Sequence, residues 1–241
     1  ALTRHVQGMD AVVDLVGILH ERRAGDFLRI HAEFALAVAK TCIAHGVPRL
    51  LHMSALAADE HAASAYLQSK GRGEASVLNA LHHGLAVTVL RPSAVFGPGD
   101  SFLNLFAHLL PYAPILPLPA ATARLKPVYV GDVARAFSAA LDEPDCFGQR
   151  YDLCGPREYT LRELMEYVAR LKGLCPLVVP LSRRTSLWCA RLMAHLPGKP
   201  VTPDDVRTLL AGSACAGPFA RVFGFAPTAL ETVAPFYLAG D

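Results

Sequence analysis

The stretch that decides the fold runs from Val47 to Pro92 and reads VPRLLHMSALAADEHAASAYLQSKGRGEASVLNALHHGLAVTVLRP. It begins with a short apolar run, continues through a segment with helical spacing, and ends in a second apolar run that is rich in valine. Strands that are buried on both faces of a sheet are almost continuously apolar, and both runs have this character. The pattern therefore predicts a strand, a crossover helix and a second, parallel strand.

The same alternation continues outward from this stretch. The apolar run from Ala11 to Leu19 predicts an earlier strand, and a helical segment follows it and stops at His45-Gly46. After Ser101 the character of the sequence changes, because an apolar helix there leads into a proline-rich loop. We therefore predict an α/β fold with a doubly wound parallel sheet and a smaller C-terminal α/β lobe. The sheet domain is assigned to residues 1–100 and about 126–153, and the smaller lobe to about 101–125 and 154–241.

The composition argues against several classes of function. The chain has 241 residues and a net charge of +2, and its Lys and Arg are scattered, which is not typical of a nucleic-acid-binding protein. No apolar run in the sequence reaches transmembrane length. The six cysteines form no Cys-x-x-Cys pair and have no zinc-site spacing with histidine. We therefore expect no metal site, and small buried thiols in a reducing compartment.

Within the predicted crossover helix, Tyr66 and Lys70 stand four residues apart and therefore lie on one face, one turn from each other. A cation beside a phenol favours the phenolate, so Lys70 is expected to lower the pKa of Tyr66 and make it a general base. The alternative is a half-buried tyrosine next to a solvated lysine, because this spacing also arises by chance.

Other candidate residues lie where a ligand is expected. Ligands of parallel α/β sheets bind beyond the carboxyl ends of the strands, and Leu15-Val16-Gly17 and Ser54 occupy such ends. Ser54 ends the strand that precedes the helix of Tyr66 and Lys70. These three side chains are therefore predicted to face one crevice. Arg91, at the end of the next strand, is interpreted as one partner of a salt bridge.

Five segments, taken in order, resemble those of the extended and atypical short-chain dehydrogenase/reductases, which include the NAD-dependent epimerase/dehydratase-like proteins: HMSALAA, YLQSK, RPSAVFGPGD, PVYVGDVA and YDLCGP. Within this family the chain is most similar to the branch that contains the dehydrogenase-like accessory subunit of respiratory complex I and its bacterial relatives. The resemblance covers nearly all 241 residues. It implies a Rossmann-like sheet that binds NAD or NADP.

The resemblance also implies roles for individual residues. Tyr66 would be the acid/base group, Lys70 its electrostatic partner and a ligand of the ribose, and Ser54 the ligand of a substrate oxygen. Gly71 and Gly73 would be points of close approach, since in a helix interior each glycine costs roughly 1 kcal/mol relative to alanine. The residues implied to contact the cofactor are Leu15, Val16, Gly17, Ser54, Tyr66, Lys70, Pro92, Ser93 and Val95.

The sequence departs from the family pattern at two points. The glycine-rich turn that holds a pyrophosphate is absent, and the chain starts where the family has its fourth strand. We therefore expect a fragment of a longer protein, whose 241 residues alone bind a dinucleotide weakly or not at all. A genuine short form that pairs along its exposed edge is the alternative. Second, Leu125 stands where sugar-nucleotide epimerases of the superfamily carry arginine, which argues against a nucleotide-sugar substrate.

Two functions remain open at this stage. One is an NAD(P)-dependent oxidoreductase or epimerase that uses the Tyr66-Lys70 pair on a small-molecule substrate. The other is a non-catalytic NAD(P)-binding accessory or assembly protein of respiratory complex I or quinone metabolism. The expected location is cytoplasmic, with a possible peripheral contact to the inner membrane through a membrane-complex partner.

One further stripe of apolar residues has two interpretations. Trp188, Leu192 and Leu196 line one face of a predicted helix that also carries Arg184 and Arg191. Most such stripes belong to a protein core, and this is the interpretation that we favour. The alternative is a face that docks on a membrane surface or on a partner protein.

Overall fold

The computed structural model describes residues 2–195, 201–212, 215, 219 and 221–239. The strands are β1 (Ala11–Asp14), β2 (Arg49–Met53), β3 (Ala86–Pro92), β4 (Val95–Phe96), β5 (Ile115–Leu118), β6 (Arg124–Leu125), β7 (Val128–Tyr129), β8 (Arg150–Leu153), β9 (Tyr159–Thr160) and β10 (Leu177–Pro180). The α-helices are α1 (Thr3–Val6), α2 (Phe34–Ala44), α3 (Ala65–Leu78), α4 (Leu103–Leu109), α5 (Val130–Asp142), α6 (Leu161–Leu171), α7 (Arg183–Met193), α8 (Pro203–Ala211) and α9 (Leu230–Leu238). A π-helical turn at Leu28–Glu33 leads into α2.

The chain divides into two compact units. The first consists of Ala1–Pro92, Val133–Leu153 and Ala216–Phe225, and the second of Ser93–Asp132, Cys154–Cys215 and Ala226–Asp241. The first unit holds the main sheet with helices α2 and α3, and the second holds α4, α6, α7, α8 and α9.

The sheet of the first unit has four strands in the order β1-β2-β3-β8, and each neighbouring pair is parallel. In register, Val13 lies opposite Leu51, and Leu51 lies opposite Thr88. This arrangement confirms the predicted parallel α/β fold. Because the strands run in one direction, the residues that follow β1, β2 and β3 emerge along the same edge of the sheet.

Each unit has its own apolar core. In the first unit, the strands β2 and β3 pack with α2 and α3, and the fully buried side chains include Leu50, Val77, Val87 and Val89. In the second unit, α4, α6 and α9 pack together around a core whose fully buried members include Phe96, Leu103, Leu164 and Met165. Two short parallel strand pairs, β5-β10 and β4-β7, and one antiparallel pair, β6-β9, complete the second unit.

Some predicted elements differ from those observed. The first strand ends at Asp14 instead of Leu19, because the Asp14 carboxylate accepts a hydrogen bond from the backbone N–H of Val16 and turns the chain out of the sheet. Asp132 lies inside the first turn of α5, and its carboxylate accepts a hydrogen bond of 2.5 Å from the backbone N–H of Thr228.

The expectation that all cysteines are free thiols is also wrong for one pair. Cys154 and Cys215 form a disulfide with their Cα atoms 6.6 Å apart, although 61 positions separate them in sequence. Only the fold of the second unit brings these two residues together. Cys42 and Cys146 are buried free thiols, as predicted, whereas Cys175 is exposed and Cys189 is half-buried, so the prediction of burial is wrong for these two.

The glycines of α3 are points of close approach, as predicted. A Cβ atom at Gly71 would lie 2.5 Å from the backbone carbon of Asp59, and a Cβ atom at Gly73 would overlap the carbonyl oxygen of His31. The backbone of the π-helical turn therefore lies directly against α3. No side chain larger than a hydrogen atom fits between them.

We predict that Gly73→Ala destabilises the protein by about 1–3 kcal/mol, because the added methyl group must push the His31 carbonyl away from α3. Urea unfolding monitored by circular dichroism measures this loss. Arg72→Ala is the matched control, since Arg72 is exposed on the same helix and its substitution should change the stability by less than about 0.5 kcal/mol. Equal stabilities of the two variants would contradict the close approach.

Candidate active site

Tyr66 lies in the first turn of α3, which begins after the cap residue Ser64. The Ser64 side chain accepts a hydrogen bond of 3.3 Å from the backbone N–H of Leu67, which fixes the start of the helix. The tyrosine ring packs edge-on against the rings of Phe27 and His31, with centroid distances of 5.8 and 5.5 Å. Burial raises the pKa of Tyr66 to about 12. Burial therefore outweighs the expected effect of Lys70, and the prediction of a lowered Tyr66 pKa is wrong.

Lys70 lies one turn further along α3 and is only 5% exposed. Its ammonium group donates a hydrogen bond of 2.9 Å to the carbonyl oxygen of Met53, the last residue of β2. An ammonium carries three N–H groups, and this bond uses one of them. Burial lowers the pKa of Lys70 to about 8, and the nearby Asp14 carboxylate partly opposes the shift.

The segment Leu15-Val16-Gly17 follows β1 and lies beside Lys70. A Cβ atom at Gly17 would lie 3.2 Å from the Lys70 ammonium nitrogen and 3.6 Å from the Nε2 atom of His31. The side chains of Leu15 and Val16 are 58% and 45% exposed. An open segment beside a buried ammonium suits a ligand that carries hydroxyl groups, such as the ribose of a dinucleotide.

Ser54 follows β2 and is buried, but its hydroxyl group points to a residue that the sequence did not single out. It donates a hydrogen bond of 2.9 Å to the carboxylate of Glu74, which lies on α3 one turn beyond Lys70. The same carboxylate forms ion pairs with Arg91 and with Arg150, the latter at 2.6 Å. The predicted salt bridge of Arg91 is thus confirmed.

The other predicted cofactor contacts, Pro92, Ser93 and Val95, lie where the sequence passes from the first unit into the second. Pro92 ends β3 in the first unit, and its carbonyl oxygen accepts a hydrogen bond of 3.0 Å from the backbone N–H of Leu56. Ser93 and Val95 belong to the second unit. The buried Ser93 hydroxyl has no hydrogen-bond partner among the described residues, and Val95 pairs with Val128 between β4 and β7.

Sequence reasoning missed His31, which connects three parts of the site. Its Nε2 atom accepts a hydrogen bond of 3.0 Å from the backbone N–H of Ile18, directly after Gly17. Its Nδ1 atom lies 2.8 Å from the hydroxyl group of Ser69, which donates its own proton to the carbonyl oxygen of Tyr66. Nδ1 must therefore carry the imidazole proton.

This network makes His31 a neutral histidine. Burial lowers its pKa to about 4, and the Lys70 ammonium contributes to the shift. Protonation of Nε2 would place an N–H group against the Ile18 N–H group. The π-helical turn that carries His31 is a feature often found at functional sites, and no simple sequence pattern marks it.

Sequence reasoning also missed a buried pair near the carboxyl ends of β1 and β2. Asp14 and His52 are both buried, and the Nδ1 atom of His52 lies 2.9 Å from the Asp14 carboxylate. The bond to His52 and the backbone N–H of Val16 lower the pKa of Asp14 against the effect of its burial. Among the described residues, no three His, Cys, Asp or Glu side chains are grouped so as to hold a metal ion.

The described part of the site thus fits part of a dinucleotide. It offers an ammonium group and an open strand end, while the glycine-rich turn expected to hold the pyrophosphate does not occur in the sequence.

The fold and the site define a Rossmann-like α/β protein. The model of the NAD-dependent epimerase/dehydratase family matches residues 1–154, and the chain belongs to this family. Membership confirms the resemblance inferred from the five sequence segments. It also confirms the predicted class of cofactor, a nicotinamide dinucleotide.

Two curated relatives show similarity over much of the chain. The chain is 31% identical over 238 residues to the mitochondrial NADH dehydrogenase (ubiquinone) 1 alpha subcomplex subunit 9 of Rattus norvegicus, covering 96% of this chain and 62% of that protein. It is 31% identical over 182 residues to the ceramide reductase of Caulobacter vibrioides, covering 75% of this chain and 56% of that protein. The chain therefore spans little more than half the length of these relatives.

Solved structures share the fold. A nucleoside-diphosphate-sugar epimerase from Staphylococcus aureus superposes with a TM-score of 0.70 at 21% identity, covering 99% of this chain and 79% of that chain. MoeE5, solved in complex with UDP-glucose and NAD, superposes with a TM-score of 0.65 at 21% identity over 76% of this chain and 69% of that chain. At these identities the likeness shows the fold alone.

We predict that His31→Asn removes the acceptor for the Ile18 N–H group but keeps a donor for Ser69, whereas His31→Gln does the reverse. Amide hydrogen exchange at Ile18, followed by NMR, should therefore accelerate in His31→Asn and change less in His31→Gln. Equal protection of Ile18 in both variants would show that the imidazole does not hold the strand end.

The same histidine should make folding sensitive to acid. Between pH 6.5 and about 4 the unfolded chain binds a proton at position 31 that the folded protein excludes, so the free energy of unfolding should fall as the pH is lowered through this window. His31→Asn should reduce this dependence, and the exposed His108→Asn should not. Denaturant unfolding at several pH values provides the measurement, and an unchanged slope in His31→Asn would contradict the burial of a neutral imidazole.

Proposed function

We propose that the protein is an NAD(P)-dependent reductase of the short-chain dehydrogenase/reductase type, in which Tyr66 gives a proton to the oxygen of a carbonyl substrate. The observation that carries this proposal is the position of Lys70. Its buried ammonium group lies between Gly17 at one strand end and Met53 at the next, one helical turn from Tyr66.

The protonation state of Tyr66 favours the direction of reduction. With its pKa raised to about 12, the phenol holds its proton at neutral pH and is ready to act as an acid. A reduced nicotinamide held beside Lys70 and Gly17 would supply the hydride for the carbonyl carbon. Tyr66 would transfer its proton to the carbonyl oxygen to complete the alcohol, and the nearby Lys70 cation favours the phenolate that remains.

Ser54 takes a narrower role in this proposal than the sequence implied. Its proton is engaged by Glu74, so its oxygen can accept a hydrogen bond but does not donate one to the substrate. Lys70, Leu15, Val16 and Gly17 would hold the cofactor ribose and the adjoining ring. Pro92, Ser93 and Val95 remain proposed cofactor contacts from the resemblance alone.

The substrate class is suggested by the relatives and by one core residue. Similarity to a ceramide reductase favours the carbonyl group of a lipid-like substrate. Leu125 is uncharged and buried in the core of the second unit. This position therefore offers no cation for the phosphates of a nucleotide sugar. A lipid-like substrate also favours a peripheral location at the inner membrane. None of the described helices combines the length and the hydropathy needed to cross a bilayer.

A second candidate is a non-catalytic NAD(P)-binding subunit of a respiratory membrane complex. Similarity to a complex I subunit over 96% of the chain favours it. This role needs the Lys70 and Gly17 contacts for binding, but it does not need the Tyr66 proton.

We predict that Tyr66→Phe in the full-length protein lowers the rate of NAD(P)H-dependent carbonyl reduction by about 100-fold or more and leaves cofactor affinity almost unchanged, because only the transferred proton is lost. NADH or NADPH oxidation measures the rate, and calorimetry measures binding. Tyr112→Phe is the control, since Tyr112 is 88% exposed. Cofactor binding without turnover in the wild type, together with co-purification with a membrane complex, would replace this proposal with the second candidate.

We also predict that dinucleotide affinity falls as the pH rises above about 8, because the ammonium of Lys70 then loses its proton. If only the protonated form binds, the loss approaches tenfold for each pH unit. Lys70→Met should bind more weakly at pH 7 and show no such decline. Affinity of the wild type that stays constant to pH 10 would show that Lys70 does not bind the cofactor as a cation.

A further inference from the structure

The exposed face of α7 takes no part in the reaction proposed above. Trp188 and Leu192 are 62% and 54% exposed, so the prediction that this stripe belongs to the core is wrong for both residues, while Leu196 lies outside the described residues. Arg184 lies one turn before Trp188, and Arg191 lies nearly one turn after it. The exposed face therefore combines a central indole, an aliphatic side chain and two guanidinium groups.

The opposite face of α7 holds the helix firmly on the second unit. Ser186 and Ala190 are fully buried, and the Ser186 hydroxyl accepts a hydrogen bond of 3.1 Å from the backbone N–H of Ala120. Ser182 caps the start of the helix by accepting a hydrogen bond from the backbone N–H of Thr185. The orientation of the helix is thus fixed, and Trp188 cannot turn into the core without breaking these contacts.

The charge on this face has a single sign. Three arginines, and no Asp or Glu, occur between Arg183 and His195. Among the described residues, neither Arg184 nor Arg191 is part of an ion pair. Together with Trp188 they line a groove of about 500 Å³. An occupant that matches this face must therefore be anionic and must also offer apolar surface to the indole.

Further apolar side chains are exposed on the strand pair that precedes α7. Leu177 of β10 lies opposite Ile115 of β5, and these side chains are 63% and 60% exposed. β10 ends at Pro180, and only Leu181 and Ser182 separate it from α7. The second unit thus exposes apolar side chains on two consecutive elements of the chain.

From these observations we propose that α7 docks on an anionic lipid bilayer, with Trp188 and Leu192 at the level of the headgroups and Arg184 and Arg191 on the lipid phosphates. Tryptophan prefers the bilayer interface, and guanidinium groups bind phosphate through paired hydrogen bonds. Self-association through this face is disfavoured, because it would bring the same arginines of two copies together. The inference deepens the membrane location included in the proposed function, but its test needs neither cofactor nor turnover.

The chain contains one tryptophan, so Trp188 reports directly on its own environment. Mixed phosphatidylcholine–phosphatidylglycerol vesicles should shift its emission to shorter wavelength, and brominated lipids should quench it. Vesicles of phosphatidylcholine alone should bind much less of the protein in co-sedimentation. An unshifted and unquenched Trp188, or equal binding to neutral vesicles, would overturn the proposal without bearing on the reductase.

Substitutions test whether the arginines of α7 themselves bind the lipid phosphates. Arg184→Gln combined with Arg191→Gln should lower the partition coefficient for anionic vesicles by roughly 30-fold. This figure follows because each arginine near an anionic surface contributes about 1 kcal/mol to the binding free energy. The matched control is Arg22→Gln combined with Arg23→Gln, which changes the net charge equally on the exposed surface of the first unit. Equal losses in both pairs would indicate non-specific attraction and overturn the proposal. Binding of soluble polyglutamate in preference to vesicles would also overturn it, in favour of an acidic protein partner.

Discussion

The hydrogen bond from the buried Lys70 ammonium to the Met53 carbonyl is the interaction on which the site depends. It joins α3 to the carboxyl end of β2 and places a cation beside the turn that follows β1. A buried cation is tolerated only where partners replace its water, and the strand-end carbonyl and the nearby Asp14 carboxylate supply that replacement. The helix can come this close to neighbouring backbone because Gly71 and Gly73 have no side chains.

Buried polar groups on both sides of Lys70 are paired with one another. On one side, Glu74 binds Arg91, Arg150 and the Ser54 hydroxyl, so the buried carboxylate is neutralised where β3 and β8 lie side by side. On the other side, Asp14 and His52 form a pair beneath the strand ends. Breaking a buried pair leaves an uncompensated charge, which is far more costly than the pair itself. The site is therefore held in place by several polar contacts that depend on each other.

The proposed chemistry and the proposed docking face are consistent with each other. A reductase whose substrate is lipid-like gains from lying at the bilayer surface, because its substrate is concentrated there. In the second unit, Trp188 lies near Arg184 and Arg191, which form no ion pair with any residue that the structure describes, while Tyr66 keeps its proton in the first unit. These features use different residues and different physical forces. Either one can therefore be correct without the other.

The sequence by itself determined the parallel sheet, the helix that carries Tyr66 and Lys70, the close approach at Gly73 and the family, because these follow from local periodicity and from motifs in a fixed order. Tertiary structure alone decided which groups meet. It paired Ser54 with Glu74, brought His31 to Ile18, joined the distant Cys154 and Cys215, and left Trp188 in solvent. It also reversed the expected pKa shift of Tyr66, because the burial of a side chain depends on residues far away in the sequence.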